Sequence, residues 1–149
     1  MAEDIKFRHT MPVQIRFSDV DQFGHMNNSV YFSLYDLAKT TYIKDVLGSA
    51  DWSKLAIVVA NINANFFMPV FFSDHLVIET AVVHLGHKSF TLLQRAVTTD
   101  THEMKCECRT VMVGYDLATK EPKLISEDYK EAICRYEEKT LEELSKERK

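Results

Sequence analysis

The run NNSVYFSLYDLAKTTYIKDVLG, residues 27–48, has helical period, and the segments that follow it between residues 56 and 115 have period two. Asn27, Asn28 and Ser29 each carry a side chain able to accept from a free helix amide, so the helix has a start. Val30, Tyr31, Leu34, Leu37, Ala38, Thr41 and Tyr42 then recur every three or four residues up to Leu47, and Gly48 is a suitable stop. At 1.5 Å per residue this predicts a rod roughly 27 Å long. Phe32 and Tyr35 widen its apolar stripe, so the helix is expected to be largely enclosed by the rest of the fold.

Downstream, AIVVANINANFFMP (residues 56–69) places Ala56, Val58, Ala60, Ile62, Ala64 and Phe66 on one face and Asn61, Asn63 and Asn65 on the other. The first of these faces is expected to pack on the core. Strands follow near 75–86, 88–99 and 103–115, joined through Gly86 and Asp100-Thr101-His102 as hairpins are. After Pro122 helical spacing resumes at Tyr129, Ala132, Ile133 and Tyr136, and the tail LEELSKERK reads as a solvated helical end. Upstream, Val13, Ile15 and Phe17 alternate with Gln14, Arg16 and Ser18, which predicts a half-buried strand ending at Asp19-Val20-Asp21. The order is strand, long helix, four long antiparallel strands and a short C-terminal helix: an α+β chain with one curled sheet around one helix. One sheet leaves its second face, including the Asn row, poorly covered, and that predicts a homodimer or homotetramer.

Composition narrows the function. The 149 residues are the length of a single domain, 1–149, and 46% hydrophobic with 27% charged residues is ordinary for a globular chain. No apolar run reaches the roughly 18 residues of a membrane span, and MAEDIKFRHT has no leader-like apolar stretch, so a cytoplasmic location is expected. A net charge of −4 argues against general affinity for nucleic acid, so an anionic ligand would need a local basic patch. Cys106 and Cys108 share a strand face and Cys134 is distant, which fits neither a disulfide nor a zinc site, so ordinary reduced thiols are expected. His9, His75, His84 and His102 have no metal-ligand spacing, and no metal is expected; His75 with Asp74 reads as a turn. No GxSxG elbow, Walker loop or GxGxxG occurs.

The chemistry concentrates in RFSDVDQFGHMNN, residues 16–28, where Asp19 and Asp21 precede the N-terminus of the long helix. A helix start offers unpaired amides and about half a positive charge, a place for a developing oxyanion, and a nearby carboxylate can activate water or attack directly. The same two aspartates also read as turn and cap residues. Phe66, Phe67, Met68, Phe71 and Phe72 fit either a core or interface, or the lining of an acyl pocket.

DVDQFGHMNNSVYFSLYDLAK (19–39) resembles the opening signature of the hotdog-fold acyl-CoA thioesterases of the 4-hydroxybenzoyl-CoA thioesterase type: Asp-x-Asp, a Gly three residues on, then an aromatic-rich helix. FFMPVFFSDHLVIETAVVHLGHKSF (66–90) and GYDLATKEPKLISEDYKEAI (114–133) resemble the family's later strand, hairpin and closing helix. The resemblance implies a hotdog fold and hydrolysis of an acyl-CoA or acyl carrier protein thioester to acid and thiol, with no cofactor beyond CoA as part of the substrate. It makes Asp21 the nucleophile or general base and Asp19 a local structural residue, paired with Arg16. Backbone amides around Asn27 and Asn28 would polarise the thioester, and His25 would orient substrate or pair with Asp21. The run His25-Met26-Asn27-Asn28 is closer to the long- and medium-chain branch than to the aryl type, so aryl specificity does not carry over. The family's basic turn reads Gly86-His87-Lys88 here, leaving Lys88 and His87 for the coenzyme phosphates, with Ser89 and Thr91 for the pantetheine arm. In this fold the site forms between subunits, so Asn61 or Asn63 of a partner would line it. Two other readings stay open at this point: a hotdog enoyl-thioester hydratase and a non-catalytic acyl-thioester-binding module.

Overall fold

The structure, a computed structural model, describes residues 5–48 and 56–146. Its elements are β1 (His9–Val13), α1 (Asn28–Leu47), β2 (Ile57–Phe66), β3 (Leu76–Leu85), β4 (Ser89–Thr98), β5 (Met104–Asp116), β6 (Glu121–Pro122), α2 (Glu127–Glu137) and α3 (Leu141–Ser145), with a 3₁₀ turn at Phe17–Asp19. The strands form a sheet in the order β1-β3-β4-β5-β2, and β6 pairs with β5. The expected strands at 75–86, 88–99 and 103–115 are β3, β4 and β5, and α1 begins and ends where its cap residues place it, with Gly48 left-handed at φ 74°.

The chain divides into two compact units, Met1–Tyr42 with Ala64–Ala81 and Gln94–Cys108, and Ile43–Asn63 with Val82–Leu93 and Arg109–Lys149. In the first, Tyr31, Tyr35 and Ala38 form a buried stripe on α1. They pack with Leu76 and Ile78 of β3, Ala96 of β4, Cys106 and Cys108 of β5, and Ile15, Met26 and Val70. Each large apolar side chain so enclosed contributes about 1.5–3 kcal/mol. Buried Gln94 ties helix to sheet, its Nε2 donating to the Tyr35 carbonyl at 3.0 Å and to Thr80 Oγ1 at 3.2 Å.

In the second unit Leu85, Leu92, Leu93, Ile125, Ile133 and Leu144 are buried. The Glu137 carboxylate at the end of α2 accepts from the Val82 amide at 3.0 Å. Gly114 admits no side chain, because a Cβ there would lie 2.5 Å from the Lys123 carbonyl oxygen.

Three expectations change. The first strand lies upstream of the Val13-Ile15-Phe17 alternation. β1 pairs antiparallel with β3 from His9↔Thr80 to Val13↔Leu76 and ends where β3 begins, after which the chain turns. The helix is not enclosed by its own chain, since Phe32, Ser33, Asp36, Leu37 and Thr40 are exposed. β2 is the terminal strand of the sheet and lies exposed on both faces from Val58 to Asn63, so the expected core face is not covered. The C-terminal tail is the solvated helical end expected, exposed over residues 141–146 except at Leu144. Ser126 caps α2, Glu138 stops it in the left-handed region at φ 55°, and a Thr140–Glu143 capping box starts α3, which buries Leu144. The last three residues, 147–149, lie outside the described ones.

Candidate active-site loop

The loop between β1 and α1 is built around two aspartates with different surroundings. Asp19 is buried, and its carboxylate accepts from the Arg16 amide at 2.8 Å and from Arg16 Nη2 at 3.1 Å. Burial alone would raise its pKa, but the hydrogen bonds and charge of Arg16 outweigh it and hold the carboxyl below its ordinary value. The Asp19 carbonyl accepts the Asn27 amide at 2.9 Å, which closes the loop at its far end. Asp19 is thus the local structural residue expected, paired with Arg16.

Asp21 is exposed. Its Oδ1 accepts from the amides of Phe23 at 2.9 Å and His25 at 3.1 Å, while its own amide donates to the His25 carbonyl at 2.8 Å. Gly24, left-handed at φ 79°, lets the chain wind tightly enough for both bonds. The loop therefore wraps one carboxylate oxygen, and Oδ2 makes no hydrogen bond among the described residues.

Asn27 and Asn28 are exposed at the helix start, and the Asn27 carbonyl accepts from the Val30 amide at 3.0 Å. The Asn27 amide is occupied by Asp19, so the free donors expected around Asn27 and Asn28 fall on Asn28 and Ser29, the first amides of α1. His25 meets Asp21 through backbone atoms rather than its ring. The imidazole stands edge-on to Phe71, with centroids 5.2 Å apart, and 6.5 Å from the Phe23 ring.

The loop rests on the segment before β3. The Met26 amide donates to the Val70 carbonyl at 2.7 Å, and His25 forms an isolated antiparallel bridge with Phe71. Phe66, Phe67, Met68, Phe71 and Phe72 are exposed, not core. Phe72 meets Phe17 edge-on, and Phe17 is 84% and Phe23 73% exposed, so aromatic surface lies open beside the loop.

The remaining expected site residues belong to the second unit. His87 and Lys88 are exposed in the β3–β4 turn, and their carbonyls accept from Ile125 and Gly114 at 2.8 Å each. Ser89 opens β4, its carbonyl accepting from Gly86 at 2.8 Å, and Thr91 is half-buried. Asn61 and Asn63 are exposed on β2. Among the described residues no group of three or more His, Cys, Asp or Glu is arranged to hold a metal ion. The three cysteines are free, and no described helix is long and apolar enough to cross a membrane.

Sequence reasoning passed over Lys105, which is 4% exposed. Period two sets it between Glu103 and Glu107, opposite Cys106 and Cys108, where a lysine reads as solvated. The fold sets Phe71 and Asp74, more than a strand away in sequence, beside its ammonium.

The chain matches the family model described as the thioesterase-like superfamily over residues 15–133. It is 25% identical to the long-chain acyl-CoA thioesterase FadM of Escherichia coli (strain K12) over 124 residues, 81% of this chain and 93% of that one. It is 30% identical over 80 residues to the uncharacterized protein YsmA of Bacillus subtilis (strain 168), and spans about half (54%) of that relative's length. Among solved structures, a thioesterase from Thermus thermophilus complexed with coenzyme A and Zn superposes with a TM-score of 0.81 at 26% identity, covering 91% of this chain and 98% of that one. A family match running from the buried Ile15 through the loop that holds Asp19 and Asp21 to α2, joined to a shared backbone, makes this chain a member of the thioesterase-like superfamily with the hotdog fold.

Proposed function

We propose that the protein hydrolyses an acyl-CoA thioester to the free acid and the coenzyme thiol, with Asp21 as nucleophile or general base. The observation that carries this reading is the Asp21 loop: in an exposed side chain one carboxylate oxygen is fixed by two amides and the other makes no hydrogen bond among the described residues, on the segment that leads into the N-terminus of α1. The free oxygen either attacks the thioester carbon or takes a proton from a water that does. In both routes a C–O bond forms, the carbonyl oxygen gains negative charge, and the C–S bond then breaks to release a thiolate that takes up a proton. With water as nucleophile this gives the free acid directly, whereas direct attack leaves the acyl group on Asp21 as a mixed anhydride, which a water then hydrolyses to the free acid and the regenerated carboxylate. The Asn28 and Ser29 amides are the donors for that oxyanion, and one such donor is typically worth about 10²–10³ in rate. Family membership and the relation to FadM support thioester hydrolysis.

In this reading CoA is substrate, no cofactor or metal takes part, and the protein works in the cytoplasm. Lys88 and His87 meet the coenzyme phosphates and the half-buried Ser89 beside them the pantetheine arm; what supports this is the exposure of Lys88 and His87 on a turn whose backbone is pinned on both sides. The working unit is a homodimer or homotetramer, with Asn61 and Asn63 of a partner lining the site. Terminal strand β2 supports that, since its long edge carries exposed Val58, Val59, Ile62 and Phe66, the kind of edge that pairs with a second copy.

Thiol release from a panel of short, long and aryl acyl-CoAs and an acyl carrier protein thioester tests the function. Turnover upholds it and gives the substrate class. Hydration of an enoyl-CoA without thiol release overturns it in favour of a hydratase, and saturable binding without turnover makes the protein a binding module. Sedimentation equilibrium reads the assembly, and a monomer at assay concentration overturns the shared site.

A further inference from the structure

The geometry points to Lys105 as a positioning residue that holds Asp21 in place through Asp74, Phe71 and His25. This inference rests on the role proposed for Asp21. Lys105 lies in β5, buried, with its ammonium 2.8 Å from Glu103 Oε1, 3.7 Å from Asp74 Oδ2 and 5.8 Å from the centroid of the Phe71 ring. A lysine withdrawn from water is costly unless paired, and here two carboxylates and an aromatic face surround it.

Asp74 is the residue that shapes the turn. Its Oδ2 accepts the Phe71 amide at 2.9 Å, and its own amide donates to the Phe71 carbonyl at 3.0 Å. The Lys105 carbonyl also accepts from Phe67 at 2.9 Å and Met68 at 3.2 Å, so one residue anchors both ends of the segment 67–74. Phe71, in the middle of that segment, supports the His25 ring and bridges its backbone. The His25 amide is one of the two that orient Asp21 Oδ1. Without the ammonium, Asp74 and Glu103 face each other's charge without a cation between them. The Phe71 turn relaxes, and Asp21 loses the fixed support of His25. Misplacing a reacting group by about 1 Å can cost 10²-fold in rate.

Lys105→Met keeps the length and the backbone bonds while removing the charge. It is expected to lower kcat by about tenfold or more with KM within about twofold, and Lys105→Arg is expected to restore most of the rate. In an Asp21→Asn background Lys105→Met should lower the residual rate no further, because the residue acts through Asp21. Amide hydrogen exchange gives a readout independent of turnover: the His25 amide exchanges faster in Lys105→Met, while the amides of Cys106 and Cys108 do not. Should Lys105→Met not fold, Asp74→Asn takes its place, since its amide oxygen still accepts from Phe71 but has no charge for Lys105. Its expected result is the same loss of kcat and faster His25 exchange. A folded variant with kcat per molecule and His25 exchange both at the wild-type level overturns the inference and leaves Asp21 catalysis standing. If wild type releases no thiol, the hydrolase reading fails, and the exchange data alone decide whether Lys105 holds the loop.

Discussion

Replacing Asp19 by Ala should destabilise the fold by about 2 kcal/mol and make its stability less dependent on acid. The bond from the Arg16 amide to this buried carboxylate is short, and a hydrogen bond to a charged group is worth about 1.5 kcal/mol at the low end. The guanidinium contact adds only roughly 0.5 kcal/mol, because the Arg16 side chain is 73% exposed. For a chain of this size, about 2 kcal/mol lowers Tm by roughly 4–8 °C. Asp19→Asn keeps an acceptor for the Arg16 amide and should lose about half as much. The pH dependence has a definite sign. The folded state holds the Asp19 pKa below its ordinary 3.8, so the unfolded chain binds the proton more readily. The stabilisation is fully present above that value and is lost as pH falls through the lower folded pKa. Urea unfolding at about pH 7 and about pH 3 measures both quantities, and the gap between wild type and Asp19→Ala should narrow in acid. A gap under about 0.5 kcal/mol at neutral pH, or one that widens in acid, would show that Asp19 does not anchor the loop.

Two further outcomes test the packing. Burial pushes the Cys106 thiol up to about 11 and also raises that of the half-buried Cys134, so a disulfide reagent at about pH 8 should modify the native protein slowly. It should reach Cys134 first and Cys106 and Cys108 only in denaturant; rapid native labelling of Cys106 would contradict its enclosed position. Gly114→Ala places a methyl against the Lys123 carbonyl and should cost about 1–3 kcal/mol by urea unfolding, whereas a neutral result would mean that the β5–β6 connection gives way freely.

The sheet and the long helix were legible because their signals are local. Period two carries β3, β4 and β5, and Asn27, Asn28 and Gly48 mark the helix ends by side-chain chemistry and backbone freedom. The position of β1 was not legible, because its end is set by where β3 begins, a pairing between residues far apart in sequence. The exposure of β2 was hidden for the same reason: alternation reports two faces, not whether anything covers them. Within the loop, Asp21 and Asp19 look alike in sequence, and their difference arises from the Arg16 contacts and from Gly24. Lys105 was illegible, since its partners Asp74 and Phe71 lie on a segment that only the folded chain brings to β5.

Steady-state thiol release by wild type and Asp21→Asn, assayed side by side on the best acyl-CoA, tests the catalytic role of this loop most directly. The Asp21 carboxylate should be worth at least the 10²–10⁴-fold typical of a positioned general base, so the variant is expected to be folded and nearly inactive. An Asp21→Asn protein that releases thiol at the wild-type rate would contradict it.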